Sequence, residues 1–177
     1  ALPILQKLIE QLLDYNRKQA DGPVAREAVD LVDLVENVVA AHSLPARAKL
    51  MHTELTLQAR RCLAEPALLI SVMDNLYSNA VHYGAESGNI RIHSYRHGEQ
   101  VRIDVANSGE PIPAAEKNMI FEPFYQGSHQ RKGAVKGSGL GLSIARDCVR
   151  QMQGELSLVD APAGQVCFRI TLPSAPE

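Results

Sequence analysis

The sequence lacks a strong charge of either sign, a long hydrophobic run and a recognisable signal peptide. Its 18 lysines and arginines nearly balance 20 acidic residues, giving a net charge of −2 and a pI of about 6.3. This balance provides no footprint for nucleic acid and no polybasic patch for a membrane surface. Nor does any run reach the roughly 18 apolar residues of a membrane span. We therefore expect neither nucleic acid nor direct membrane contact.

Cysteine is scarce and its spacing is uninformative. Cys62, Cys148 and Cys167 are odd in number and form no CxxC pair. This argues against a disulfide framework and against a zinc site, and it fits a reducing compartment. We interpret the three cysteines as small core residues.

At 177 residues, the chain suits one domain with a short appendage. Residues 1–20 repeat apolar side chains at helical spacing until the "DGP" at 21–23 stops them, and this stripe suggests a partner helix. The remaining patterns predict a strand at 26–30, a helix from Leu31 to about Ala48 capped by Asp30, a strand at 49–57, a helix at 65–84, a hairpin at 89–107, a helix at 139–154 and a hairpin at 154–173.

The helix predicted over 65–84 carries a polar stripe. Asparagine is unusual inside a helix, yet Asn75 and Asn79 lie four residues apart and share a face with Ser71, Ser78 and His82. A polar stripe that faces solvent is one interpretation. The other is functional, because amide oxygens ligate hard cations and amide nitrogens donate to phosphate.

Glycines precede the helix predicted over 139–154, in the segment "VKGSGLGLSIA". Gly137, Gly139 and Gly141 would let backbone N–H groups approach an anion at a helix N-terminus, and the Ser143 hydroxyl could reach a phosphate. A flexible hinge and an ordinary first-turn serine are the alternatives. The segment matches neither a Walker A loop nor a dinucleotide fingerprint.

Two further features precede this helix. The predicted loop 108–138 is longer than most loops in compact domains and therefore suggests a function. No acidic residue lies between Glu122 and Asp147. This bias suits the binding of a triphosphate, and an ordinary solvated loop is the alternative. The basic residues of the same stretch are Arg131, Lys132, Lys136 and Arg146.

Asn107 ends the strand before the loop, either as a turn former or as a side chain that points beyond the strand end.

Together these stretches resemble the ATP-binding catalytic domain of two-component sensor histidine kinases, in the superfamily of the gyrase, Hsp90 and MutL ATPases. "DNLYSNAVHY" matches the family's N box, "VANSGEPIP" its first glycine box, "IFEPFYQG" its F box and "KGSGLGLSIA" its second glycine box. The resemblance covers roughly residues 24–174. It implies an α+β fold, a two-layer sandwich in which helices cover one face of a mixed, mainly antiparallel sheet. Residues 1–22 would end the preceding dimerisation domain, and 23–177 would form the ATP-binding domain with a lid at about 108–138.

The resemblance implies ATP and Mg²⁺ as ligands and assigns roles to residues. Asn79 would ligate Mg²⁺ with support from Asn75, and these two with Arg131 would carry catalysis. Tyr83, Asn107 and Gly109 would form the adenine pocket. The full implied set is Asn75, Asn79, His82, Tyr83, Asn107, Gly109, Ile112, Phe121, Phe124, Arg131, Lys132, Lys136, Gly137, Ser138, Gly139, Leu140, Gly141, Leu142 and Ser143.

The sequence departs from the family pattern at three positions. Asn107 replaces the aspartate that accepts from the adenine amino group, so that bond loses its charge-assisted part and ATP binding is expected to be weaker. His82 stands where many relatives carry a lysine or arginine, which would make phosphate contact there depend on pH. Gln126 replaces a lid arginine, and Arg131 is the substitute that we infer.

Asn75 also bears on the class of reaction. The gyrase, Hsp90 and MutL branches use a glutamate at this position as a general base for water, and an amide cannot take a proton. This favours phosphoryl transfer to an outside nucleophile over hydrolysis. An ATP-binding conformational switch without phosphotransfer is the alternative, supported by Asn107 and Gln126.

None of the six histidines has the setting of a phosphoacceptor, so the acceptor histidine is expected upstream. The partners implied are therefore the protein's own dimerisation and phosphoacceptor domain, as a homodimer, and a cognate response regulator. The implied location is the cytoplasmic side of a bacterial inner-membrane protein.

Overall fold

A computed structural model describes residues 24–123, 125 and 141–176, together with Ile9. Its helices are α1 (Leu31–Ala41), α2 (Ser43–Ala48), α3 (Pro66–Tyr83) and α4 (Gly141–Gln151), with a 3-10 turn at Ala114–Glu116. Its strands are β1 (Glu27–Asp30), β2 (His52–Leu57), β3 (Arg61–Ala64), β4 (Asn89–His97), β5 (Gln100–Ser108), β6 (Glu155–Val159) and β7 (Gln165–Pro173).

Five strands form one mixed sheet in the order β2-β4-β5-β7-β6. Only the β2–β4 pair is parallel, and the other three pairs are antiparallel. Strands β1 and β3 form a separate antiparallel pair. The mixed, mainly antiparallel sheet with helices confirms the fold class that the sequence predicted.

The hydrophobic core lies between the helices and one face of the five-stranded sheet. Helix α3 contributes an apolar face beside its polar stripe, and five members of that face are buried: Leu69, Val72, Met73, Leu76 and Ala80. Alternate residues of the sheet point toward the helices. On β5 these are Val101, Ile103, Val105 and Asn107, all buried.

The starts of two helices follow from their sequences. The Asp30 carboxylate accepts hydrogen bonds from Val32 N at 2.8 Å and Asp33 N at 3.2 Å, which confirms the predicted cap. A cap of this kind contributes about 1 kcal/mol. Helix α3 begins at Pro66, and the Glu65 carboxylate accepts from Leu68 N at 2.8 Å.

Three sequence predictions are corrected here. The helix predicted over 31–48 breaks at His42, because Pro45 has no N–H to donate to the Ala41 carbonyl. The strand predicted over 49–57 begins only at His52, after Leu50 with φ of 55°. Strand β3 was not predicted.

Other predictions fall partly outside the described residues. The helix over residues 1–20 lies outside them apart from Ile9, and so does most of the segment 124–140. The domain boundary near residue 22 and the limits of the lid therefore stay predictions. The three cysteines are buried and form no disulfide. Among the described helices, none is both long and apolar enough to cross a membrane.

Candidate functional site

The polar stripe of α3 is half-buried rather than turned fully to solvent. Asn75 and Asn79 are both half-buried. Ser78 donates back to the Asn75 carbonyl at 3.3 Å, so its hydroxyl is engaged within the helix. Within the described ranges, the Asn75 and Asn79 side-chain amides make no hydrogen bond. Neither amide is fully buried, so both can accept and donate hydrogen bonds to a ligand.

The N-terminus of α4 lies against this stripe. A Cβ atom placed on Gly141 would stand 3.4 Å from Asn75 Oδ1, so the first residue of α4 is next to the amide. Ser143 is buried, with 5% of its surface exposed, and Leu142 packs partly against the core. The Asn75 amide therefore lies beside the positive end of a helix dipole, an arrangement that suits an anion.

Asn107 lies on the helix-facing side of β5, one residue before the strand ends, and is 6% exposed. Its Nδ2 donates to the Ser108 carbonyl oxygen at 3.0 Å. The same oxygen accepts from Ala85 N at 2.9 Å, just beyond the end of α3. Because the amide nitrogen is engaged, the Oδ1 atom is left to accept. This buried position within a strand does not fit a turn-forming asparagine.

Tyr83 and Gly109 bring the end of α3 close to the segment after β5. Gly109 has φ of 158°, and a Cβ there would lie 3.1 Å from the Tyr83 carbonyl oxygen and 3.3 Å from Asn107 Nδ2. Burial raises the pKa of Tyr83 to about 12, so the phenol stays neutral. Its ring meets the ring of the exposed His82 edge to face, with centroids 4.6 Å apart.

The segment after Gly109 is anchored to the core by Phe121. The Phe121 ring meets Phe168 of β7 edge to face at 6.1 Å. The Arg146 guanidinium carbon lies 5.1 Å from the Phe121 ring centroid, a favourable cation–π geometry. Ile112 packs partly against the core. Of the basic residues singled out in the sequence, Arg146 thus has a role in packing.

Eight of the predicted site residues lie outside the described residues, and their roles stay predictions: Phe124, Arg131, Lys132, Lys136, Gly137, Ser138, Gly139 and Leu140. The remaining eleven belong to α3, the end of β5, the segment that follows it and the start of α4. A Cβ placed on Gly141 would lie beside Asn75, and a Cβ placed on Gly109 would lie beside the Tyr83 carbonyl and the Asn107 amide.

Sequence reasoning missed Lys49 and the Ser108 carbonyl. Lys49 Nζ donates to backbone carbonyls at the end of α3. No local pattern reveals such a contact, since its partners lie 32 to 35 residues away. Among the residues that are described, no cluster of three or more His, Cys, Asp or Glu is placed to hold a metal. A metal here would depend on amide oxygens and on the oxygens of its ligand.

Comparison with known proteins shows which family and which relatives this chain resembles. The model of the family described as "Histidine kinase-, DNA gyrase B-, and HSP90-like ATPase" matches residues 64–176. The chain is 73% identical over 171 residues to the sensor histidine kinase GlrK of Escherichia coli K12, covering 97% of this chain and 36% of that protein. It is 72% identical, with the same coverage, to the sensor histidine kinase QseE of Escherichia coli O157:H7. The chain thus spans about a third of the length of these relatives.

Solved structures share the fold. The nucleotide-free catalytic domain of histidine kinase ThkA superposes with a TM-score of 0.73 at 28% identity, covering 87% of this chain and 100% of that one. ThkA in complex with the response regulator TrrA gives a TM-score of 0.78 at 26% identity, covering 99% of this chain and 48% of that one.

Proposed function

Since this chain belongs to the histidine kinase-, DNA gyrase B- and HSP90-like ATPase family, as its four motifs predicted, we propose that it binds Mg-ATP and transfers the γ-phosphoryl group to a histidine. It would act as the catalytic domain of a sensor histidine kinase, the class to which its 73%-identical relative belongs by name. The observation that carries the proposal is the half-buried Asn75 amide beside Gly141 at the N-terminus of α4, with the half-buried Asn79 amide one turn later on the same face of α3.

The residues present fit a hard cation and a nucleotide. Asn79, with Asn75 in support, would hold Mg²⁺ through amide oxygens, which are suitable ligands for it. When bound, the cation neutralises charge that develops on the phosphates. Asn107 Oδ1 would accept from the adenine amino group, and Gly109 leaves room for the base beside Tyr83. The backbone N–H groups at the start of α4 would receive the phosphates.

Transfer is favoured over hydrolysis by the shortage of a general base on α3. Asp74 is the one acidic residue of that helix, and its Oδ1 lies 2.6 Å from His42 Nε2, a contact made with the α1–α2 junction. Asn75 cannot take a proton from water. The domain would therefore act by positioning and electrostatics and would leave the nucleophile to another domain.

The partners form part of the same proposal. The acceptor histidine would lie in the protein's own dimerisation domain, and a response regulator would receive the phosphoryl group next. The ThkA–TrrA complex supports the second partner by similarity. The inferred location, on the cytoplasmic side of an inner membrane, is proposed together with them.

Phosphotransfer to a supplied acceptor tests the proposal. The chain alone should bind Mg-ATP yet take up no stable label from γ-labelled ATP, and its hydrolysis should be slow. Adding a dimeric fragment that carries the acceptor histidine of the 73%-identical relative should produce acid-labile label on that fragment, and Asn79→Ala should prevent it.

Two results would contradict the kinase assignment. Self-labelling of the lone chain, or hydrolysis that Asn79→Ala leaves unchanged, would place the chemistry elsewhere. ATP binding without any transfer to the acceptor would favour the conformational switch that the sequence left open.

A further inference from the structure

The side chain of Lys49 caps the C-terminal end of α3. Its Nζ atom donates to the carbonyl oxygens of Val81 at 2.8 Å, His82 at 2.9 Å and Gly84 at 2.6 Å. The last carbonyls of a helix have no partner within the helix, and a cation there is favoured by the helix dipole. An ammonium group has three protons to donate, and three backbone oxygens lie within hydrogen-bond distance of it. Lys49 is therefore engaged by the backbone and not placed as a cation for phosphate.

Lys49 also holds the turn that follows α3. Its own carbonyl oxygen accepts from Ser87 N at 2.8 Å. Lys49 therefore contacts both sides of the turn. Its ammonium group binds the Gly84 carbonyl, and its backbone carbonyl binds the Ser87 N–H. Lys49 is half-buried. Burial lowers the pKa of Lys49, and the nearby charge of Glu86 acts in the opposite direction.

The turn is connected directly to the Asn107 amide. Ala85, between the two positions bound by Lys49, donates its N–H to the Ser108 carbonyl at 2.9 Å. That oxygen also accepts from Asn107 Nδ2 at 3.0 Å. A shift of the turn would move the acceptor to which Asn107 is bonded, and with it the direction of Asn107 Oδ1.

We propose that Lys49 is a positioning residue for adenine: by fixing the end of α3 and the turn at Ala85, it sets the orientation of the Asn107 amide. This inference rests on the proposed function, because it concerns the same nucleotide site. Because its ammonium group binds backbone carbonyls, Lys49 would act on the nucleotide site only through the backbone. Its removal should therefore weaken recognition of the base more than contacts to the phosphates.

The test substitutes Lys49→Met, which removes the ammonium group and keeps most of the stem, and measures two quantities. The first is the NMR signal of the Asn107 side-chain amide without ligand, assigned by its disappearance in Asn107→Asp. The second is the dissociation constant for ATP and for GTP. We expect the amide signal to shift and ATP affinity to fall about fivefold to tenfold, as for one misplaced hydrogen bond. The preference for ATP over GTP should fall as well.

A control separates positioning from general loss of stability. Asp30→Ala removes the cap of α1 and should lower the melting temperature without changing the Asn107 signal or ATP affinity. All measurements are made well below the melting temperature of each variant. A folded Lys49→Met protein with an unchanged Asn107 signal and unchanged ATP affinity would overturn the inference.

A second variant covers the case in which Lys49→Met does not fold. Lys49→Arg keeps the charge, but its planar guanidinium differs in shape from the tetrahedral ammonium and cannot reproduce three diverging bonds. A shifted Asn107 signal with about a threefold loss of ATP affinity is then expected, and wild-type values would overturn the inference. The Asn107 signal needs no nucleotide, so failure here is distinguishable from a wild-type chain that binds no ATP.

Discussion

Gly141 at the start of α4 lies directly against Asn75 of α3, so close that a Cβ at position 141 would stand 3.4 Å from Asn75 Oδ1. That distance is ordinary van der Waals contact, and the protein itself leaves room for a methyl group there. Glycine at 141 is therefore not required by packing among the described residues. A ligand that approaches the backbone between the two helices would require it.

The Gly141→Ala variant distinguishes a glycine that packing requires from a glycine that ligand binding requires. The variant should fold with a free energy of unfolding equal to the wild-type value or slightly higher, since alanine is favoured in helices by up to about 1 kcal/mol. ATP affinity should nevertheless fall, because the methyl group occupies the approach to the amide. Urea unfolding and calorimetric titration measure the two effects.

The matched variant is Gly84→Ala, where a Cβ would stand 2.5 Å from the Ala80 carbonyl oxygen. That substitution should lower stability. Unchanged ATP affinity in Gly141→Ala would show that no ligand approaches the backbone at this point.

Asn79→Ala tests the proposed metal ligand. Since the amide bonds to no other described residue, its loss should change the free energy of unfolding by no more than about 0.5 kcal/mol. Mg²⁺-dependent ATP binding should be abolished, as measured by titration with and without the cation. Ser71→Ala, on the same stripe two turns earlier, is the control and should bind normally. Retained Mg²⁺-dependent affinity in Asn79→Ala would remove the residue from the metal site.

Asn107→Asp should lower the stability of the free protein while it strengthens ATP binding. A carboxylate at this position cannot donate to the Ser108 carbonyl. One of its oxygens would instead repel the carbonyl oxygen at a buried position. The free protein should therefore lose about 1–3 kcal/mol of stability. That cost is present with and without ligand, so it does not enter the affinity.

The charge-assisted bond to the adenine amino group should in contrast strengthen ATP binding by about 1 kcal/mol. Denaturant unfolding of the free protein and ATP titration at low temperature give the two values. Weaker ATP binding would mean that Asn107 Oδ1 makes a different contact.

Alkaline pH provides a test of the Tyr83 environment. Burial raises the pKa of Tyr83 from its ordinary 10.0 to about 12, so the folded chain holds this proton more tightly than the unfolded chain. The resulting contribution to stability is complete below pH 10 and is lost as the pH rises through 12. Tyr83→Phe cannot ionise, so its free energy of unfolding should decline less steeply over this window.

Some alkaline decline should remain in Tyr83→Phe. Burial also raises the pKa of Cys62 to about 12 and that of Cys167 to about 11, and both act in the same direction. Urea unfolding at a series of pH values from about 9 to 11.5 measures both slopes. Equal slopes for the two proteins would show that the Tyr83 phenol is solvated in the folded chain.

Elements with local signals could be predicted from the amino-acid pattern alone. The apolar period of α3, the Asp30 cap and the β4–β5 hairpin around Gly98 depend on residues a few positions apart, and the structure has all three. The motif glycines and asparagines also identified the family, because their order along the chain is itself the signal. Short-range geometry of this kind is encoded by residues that are close together in the sequence.

The way in which these elements meet depends on tertiary packing. The parallel pairing of β2 with β4 and the pairing of β1 with β3 join strands that are distant in sequence, and the four residues of β3 were not predicted as a strand. The Asn107 amide donates to the Ser108 carbonyl of β5, which also accepts from Ala85 N just beyond the end of α3. The cap on α3 comes from Lys49, more than 30 residues before the carbonyls that it binds. Such contacts arise from the packing of distant segments, which no local pattern encodes.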